Sequence, residues 1–228
     1  VVKAWRIGFA DARVPAAAEV AALLELTDPD DVDLDDDSRS VWLRRPGMRL
    51  DLGAIAKGHA ADRAAALYRA HGVTDGLVDL GGNVVALGRA GDGRPWRVGV
   101  QSPSAARGVT LGFLEVSDAS AVTSGIYERV LEAGGRRYHH MIDPLTGHPF
   151  ETDLASVTVL SPSSLQADIW ATVAQRGGLV AGSAAVTAAP GIEAVFVTGE
   201  RTVLATAGCR EALTVTDLGY RLLDVAAD

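Results

Sequence analysis

Residues 51–88, DLGAIAKGHAADRAAALYRAHGVTDGLVDLGGNVVALG, constrain the fold of this chain more than any other stretch. Gly53, Ala54 and Ala56 make a turn of small residues leading to Lys57-Gly58. Apolar residues then recur at Ala60, Ala61, Ala64, Leu67 and Tyr68, a helical spacing. Arg69 and His71 fall at the end of that pattern, where cations suit the negative pole of the helix dipole. Gly72 suits the residue that closes a helix in a left-handed conformation. Gly76–Leu80 reads as a strand, broken at Gly81-Gly82. Two readings fit this strand–turn–helix–strand unit. It is a purely structural element with tight turns, or small residues and free N–H groups at the helix start admit an anionic ligand. Neither GxGxxG nor GxxxxGK[ST] is present to decide between them.

The composition narrows the class. Hydrophobic residues at 48% and charged residues at 22% describe a chain that can bury a core, unlike a disordered one. A net charge of −8 argues against a nucleic-acid surface, which needs basic residues to neutralise phosphates. Cys209 is the single cysteine, so an intrachain disulfide or a cysteine-built metal site is excluded. No apolar run reaches the roughly 18–20 residues that span a bilayer. The chain begins Val1-Val2 and not Met, as a processed or truncated product does, and no basic-then-apolar signal opens it. No repeat, low-complexity tract or linker divides the 228 residues, so a single domain over 1–228 is expected.

Before the central stretch, Pro15 precedes a helical pattern over Ala16–Leu26. Seven aspartates crowd residues 28–37. Their alternation at Asp31, Asp33 and Asp35 imitates a calcium loop, but Asp36 stands where glycine is required and Trp42 where a bidentate glutamate is required. This is expected to be a solvated acidic loop leading into a strand at Val41–Leu43, followed by a turn at Pro46-Gly47. After Gly88, GRAGDGRP reads as a hairpin connection, and Trp96–Val100 and Gly112–Val116 as strands. Ser124 lacks the G-x-S-x-G elbow of a hydrolase nucleophile. Ser156–Leu160 alternates as a strand, and Glu193–Thr198, Thr202–Thr206 and Leu213–Thr216 follow as strands separated by turns.

Two places carry candidate chemistry. His139 and His140 stand just before Asp143-Pro144, in a segment, Met141–Pro149, whose Asp-Pro and Thr-Gly pairs predict a loop. His140 can hold a phosphate or act as acid and base, or it is simply an exposed, hydrogen-bonded histidine. Ser163 is a candidate N-cap for a helix carrying Asp168 and Thr172, one turn apart on one face. A carboxylate and a hydroxyl so placed are hard oxygen donors for Mg²⁺ or Ca²⁺. The same spacing also describes two polar residues on an ordinary amphipathic helix.

The central stretch resembles the ApbE family, the FAD:protein FMN transferases, whose signature runs roughly DLGGIAKGYAAD, then a helix and a strand ending in GG and Asp or Asn. Asp51-Leu52-Gly53, Ile55-Ala56-Lys57-Gly58, Ala61-Asp62 and Gly81-Gly82-Asn83 match it. Further on, Thr123-Ser124-Gly125 with Tyr127-Glu128-Arg129 resembles TSGDYER, with Ile126 in place of the Asp. His140-Met141-Ile142-Asp143-Pro144, Thr146-Gly147 and Pro149 resemble HIIDPxTGxP, and Ala167-Asp168 with Thr172 resembles AD-x-x-x-T. The motifs keep the family's order, and together they are specific where each alone is weak.

The resemblance implies an α+β, T-fold-like domain with mixed sheets flanked by helices. It implies transfer of FMN from FAD onto a Thr or Ser hydroxyl of a target flavoprotein, with a divalent metal (Mg²⁺ or Ca²⁺) and release of AMP. Carried over residue by residue, Asp51, Lys57 and Ile142 would contact FAD. The Ala54 carbonyl, Asp168 and Thr172 would bind the metal, and His140 would serve as acid/base or orient a phosphate, beside Asp168 in the catalytic set. Some relatives carry a second carboxylate where Ala171 stands. The family also has a longer leading segment before the part matching Trp5–Phe9, with flavin contacts of its own, so this chain is expected to be N-terminally short. A FAD pyrophosphatase giving FMN and AMP, and a FAD-binding module without turnover, are the alternatives. Relatives commonly work outside the cytoplasmic membrane on a lipid anchor. The 228 residues show no export signal, which leaves a cytoplasmic location open.

Overall fold

A computed structural model describes residues 1–224. In chain order the helices are α1 (Val2–Trp5), α2 (Ala17–Leu24), α3 (Ala56–Ala70), α4 (Ser164–Thr187) and α5 (Ala207–Ala212). The strands are β1 (Val32–Asp35), β2 (Ser40–Leu43), β3 (Gly76–Asp79), β4 (Asn83–Leu87), β5 (Trp96–Gln101), β6 (Thr110–Val116) and β7 (Ser120–Gly125). They continue with β8 (Val130–Ala133), β9 (Arg136–His139), β10 (Leu154–Ser161), β11 (Glu193–Thr198), β12 (Thr202–Ala205), β13 (Leu213–Val215) and β14 (Arg221–Asp224). The class is α+β with mixed sheets flanked by helices, as the resemblance implies.

The described residues form two compact units, neither of them continuous in sequence: Val1–Asp51 with Ile126–Glu151, and Leu52–Gly125 with the chain from Thr152 onward.

The first unit holds α1, α2 and two antiparallel hairpins, β1-β2 and β8-β9. Its core is small: Trp5, Ile7 and Val20 are buried. The acidic run is not wholly a loop: Pro29–Asp31 forms a single 3-10 turn and Val32–Asp35 a strand. Val32–Asp35 pairs with Ser40–Leu43, and Asp33 and Asp31 form ion pairs with Arg44 and Arg45. Opposite charges beside the aspartates make a strand of this run tolerable. The β8-β9 hairpin turns on Gly134-Gly135, both at positive φ (58° and 73°), the two-residue turn that matches strand twist.

The second unit is layered. A seven-stranded sheet, in the order β14-β12-β11-β10-β7-β4-β3, is antiparallel except for the parallel β12-β14 pair. Helices α3 and α4 cover one face. There Val122, Val157, Val159, Ala194 and Phe196 pack with Ala167, Ala171 and Ala174 of α4, and Val78, Val85 and Leu87 pack with Ala61 and Ala65 of α3. The other face packs Ala121, Val195, Val197 and Val203 against Val100, Leu111 and Leu114 of a three-stranded sheet, β13-β6-β5, and against Cys209 of α5. Because both faces are covered, Ala194–Val197 is a continuous apolar run in place of an alternating one.

Two expectations are corrected here. Of the apolar pattern expected on α3, Ala61 is buried and Ala64 packs beside it, but Leu67 and Tyr68 are exposed, and Gly58 and Ala65 are buried in addition. Close packing of Gly58 against α4, and of Ala61 and Ala65 against β3 and β4, selects the small side chains. The GRAGDGRP segment does not join paired strands, since β4 lies in the large sheet and β5 in the small one. Helix α4 is two helical pieces joined at Gly178, whose φ of 68° and ψ of −173° interrupt the helix. Asp153 accepts the Leu179 N–H at 2.9 Å and caps the second piece.

Candidate active site

The start of α3 has no cap of its own. Its N-cap residue is Ile55, which offers no side-chain acceptor, although the first N–H groups of a helix need partners from outside it. Gly58, in that first turn, donates its N–H to Asp168 Oδ2 of α4 at 2.9 Å. A Cβ at Gly58 would lie 2.5 Å from the Ser164 carbonyl oxygen, so the two helices approach only because this residue has no side chain. Asp168 is 5% exposed, and its buried carboxylate sits at the positive end of α3.

The start of α4 is served from α3 in return. Asp62 accepts the Ser164 N–H at 2.7 Å, the Leu165 N–H at 3.0 Å and the Ser163 hydroxyl at 2.8 Å. Ser163 is the expected N-cap and accepts the Gln166 N–H at 3.3 Å. Asp62 was legible only as part of a motif, since a cap supplied from a distant helix leaves no local spacing. One turn along α4, the half-buried Thr172 donates its hydroxyl to the Asp168 carbonyl oxygen at 3.1 Å. That bond uses the hydroxyl proton and leaves the oxygen able to act as a donor atom for a cation.

Beside the α3 start, Ala54 and Lys57 are exposed, and Lys57 Nζ lies 3.4 Å from the Gly81 carbonyl oxygen. The Gly81-Gly82 turn is held by Asp79, whose Oδ1 accepts the Gly81 N–H at 2.8 Å. Both glycines have positive φ, 72° and 98°. Next to them Asn83 is fully buried, and neither of its amide atoms finds a hydrogen-bond partner among the described residues.

The chemistry of this donor set can be tested against a divalent cation. Asp168 and Thr172 supply hard oxygens, and a backbone carbonyl would be a third, which suits Mg²⁺ or Ca²⁺. Among the described residues no group of three or more His, Cys, Asp or Glu gathers as a metal site. A single carboxylate therefore suits a cation whose remaining positions are filled by water or by the oxygens of an anionic ligand.

The other expected residues belong to the first unit. Asp51 is exposed and pairs with Lys3 at 3.8 Å. His140 is half-buried after β9, and Ile142 is bridged to Pro149. Their loop is closed by its own hydrogen bonds. Asp143 donates its N–H to His148 O and accepts the Gly147 N–H at its carbonyl, both at 2.8 Å. The Trp5 indole donates to Gly147 O at 2.8 Å. The neighbouring His139 is a structural residue. Its Nδ1 accepts the Met141 N–H at 3.3 Å and its Nε2 lies 2.8 Å from Phe150 O, which fixes a neutral ring with the proton on Nε2. Burial lowers its pKa below the usual histidine value.

Comparison with known proteins gives one answer. The model of the ApbE family matches residues 1–196. A FAD:protein FMN transferase of Klebsiella pneumoniae is 43% identical over 227 residues, covering 100% of this chain and 70% of the relative. One of Treponema pallidum is 40% identical over 234 residues, covering 97% of this chain and 65% of the relative. Among solved structures, the ApbE protein of Thermotoga maritima superposes with a TM-score of 0.80 at 28% identity, over 90% of this chain and 66% of that one. The Pseudomonas stutzeri flavinyl transferase ApbE, in its apo form, gives 0.76 at 32% identity over 92% and 66%. This chain thus spans about two-thirds of the length of the relatives quoted. With a family match over most of its residues and an aligned relative over all of them, the chain belongs to the ApbE family.

Proposed function

We propose that this chain is an FAD:protein FMN transferase that moves FMN from FAD onto a Thr or Ser hydroxyl of a target flavoprotein. The observation that carries the reading is the 43% identity with a transferase of that name along the whole chain. In the reaction the acceptor oxygen attacks the phosphorus of the FMN half, the bond to the bridging oxygen breaks, and AMP leaves with that oxygen. The hydroxyl proton goes to a base.

Each chain residue has a proposed part. Asp168, Thr172 and the Ala54 carbonyl would hold a divalent cation, Mg²⁺ or Ca²⁺. Such a cation, when bound, neutralises charge on the pyrophosphate oxygens. Asp168 is kept in place by the Gly58 N–H. Lys57 would bind a phosphate of FAD as a point charge. Asp51 and Ile142 would contact FAD, and the His140 imidazole would take up the hydroxyl proton or orient a phosphate.

The test is the intact mass of a candidate flavoprotein after incubation with this chain, FAD and Mg²⁺. A gain of one FMN, lost with EDTA and lost in Asp168→Ala, is the expected result. Free FMN and AMP with an unmodified target would make the chain a pyrophosphatase. FAD bound and unchanged would make it a binding module.

A further inference from the structure

We infer that Asp62 is the positioning residue for the Asp168 carboxylate, an inference that rests on the metal-binding reading proposed above. The two helices cap each other. On α3, Gly58 and Asp62 are one turn apart on one face; on α4, Ser164 and Asp168 are one turn apart on one face. Gly58 N–H meets Asp168, and the Ser164 and Leu165 N–H groups meet Asp62. The two contacts run in opposite senses along the helices, so together they fix the register of α4 against α3.

Asp62 does not itself have room for a cation in this arrangement. Its two oxygens accept three donors, from Ser163, Ser164 and Leu165. Its work is upstream of the metal. Ser164 is fully buried, so its N–H has no recourse to water when Asp62 is removed. Ser163 covers only the Gln166 N–H. Without Asp62 the first turn of α4 loosens, and Asp168, one turn further on, loses its fixed place opposite Gly58. Asp62 is thus an outer partner of a ligand carboxylate, acting through the helix that carries it.

The test is Mn²⁺ binding to the full chain in the presence of FAD, read from the electron paramagnetic resonance of the free ion. Asp62→Ala, Asp62→Asn, Asp168→Ala and a stability control, Val203→Ala, are compared with wild type. Val203 lies in the core on the opposite face of the sheet. Asp62→Ala is expected to weaken Mn²⁺ binding about tenfold or more, the range for outer partners of metal ligands. Asp62→Asn keeps one acceptor oxygen and is expected to fall between it and wild type, while Val203→Ala leaves the affinity unchanged. If Asp168→Ala abolishes Mn²⁺ binding but both Asp62 variants bind like wild type, the positioning role is overturned and the metal reading stands. Equal weakening in Val203→Ala also overturns it, because lost stability would then account for the effect. If Asp168→Ala binds Mn²⁺ like wild type, the metal reading fails and the positioning role with it. Should Asp62→Ala not fold, Asp62→Asn decides by the same comparison.

Discussion

The carboxylate of Asp168 and the backbone N–H of Gly58, 110 residues apart in the chain, are joined by a buried hydrogen bond of 2.9 Å. One acidic side chain therefore has two uses. It satisfies the start of α3, and it presents its remaining oxygen lone pairs where a cation is proposed to bind. This is why the AKG turn and the AD-x-x-x-T helix, distant in sequence, belong to one structural feature.

Gly58→Ala tests that feature from the α3 side. The added Cβ would meet the Ser164 carbonyl oxygen at 2.5 Å, and backbone cannot move aside as a flexible side chain can. Overpacking of this kind costs about 1–3 kcal/mol. The variant is expected to lower the unfolding midpoint and to raise the Mg²⁺ needed for half-maximal transfer. A variant with unchanged stability would mean that α3 and α4 are not held this closely.

Asp168→Asn separates shape from charge. The amide oxygen can still accept the Gly58 N–H, so stability should fall by no more than about 1 kcal/mol, the usual net worth of one hydrogen bond. Metal-dependent transfer should be lost. Retained transfer at wild-type Mg²⁺ concentrations would remove Asp168 from the proposed metal site.

Several strands of the second unit were legible as apolar or alternating runs bounded by turn residues. The strands at Trp96, Gly112, Ser156 and Glu193 and the N-cap at Ser163 stand where the pattern places them. The inward face of α3 was legible only in part, at Ala61 and Ala64. Leu67 outranks Gly58 in hydropathy, but the tight approach to Ser164 turns Gly58 inward. The β8-β9 hairpin carries a local signal, Gly134-Gly135 between strand residues. The site was legible mainly as motifs. Its geometry was not, because a bond such as Asp62 to Ser164 couples positions 102 residues apart.

Lys57→Ala should separate FAD binding from folding. The side chain is exposed, and its 3.4 Å contact with Gly81 O is long, so stability should change by less than about 0.5 kcal/mol. Loss of a charged contact to phosphate is worth about 1.5–3 kcal/mol, which predicts a rise in the FAD requirement of about tenfold or more. An unchanged FAD dependence would argue against its proposed role.

His139 gives the first unit a pH dependence. Burial lowers its pKa in the folded protein below the unfolded value of 6.5. The unfolded chain then binds more protons between the two values, so stability rises with pH across that window. The contribution is fully present above pH 6.5 and is lost as pH falls through the folded pKa. The unfolding midpoint at pH 5.5 should therefore drop less, relative to pH 7.5, in His139→Gln than in wild type. Equal drops in both proteins would show that His139 does not set this dependence.

Cys209 reports on the opposite side of the large sheet. The thiol is fully buried beside Val195 and Leu213, and desolvation, aided by the Glu193 charge, pushes its pKa up to about 12. The thiolate is the reactive form, so at pH 8 both burial and protonation suppress reaction with a maleimide or disulfide reagent. Labelling should be complete in denaturant and, in the native protein, should proceed only at the rate at which the α5 region opens. Raising the denaturant below the unfolding transition separates local from global opening, since only the global route accelerates steeply. Rapid stoichiometric labelling of the native chain would show that α5 does not seal this core.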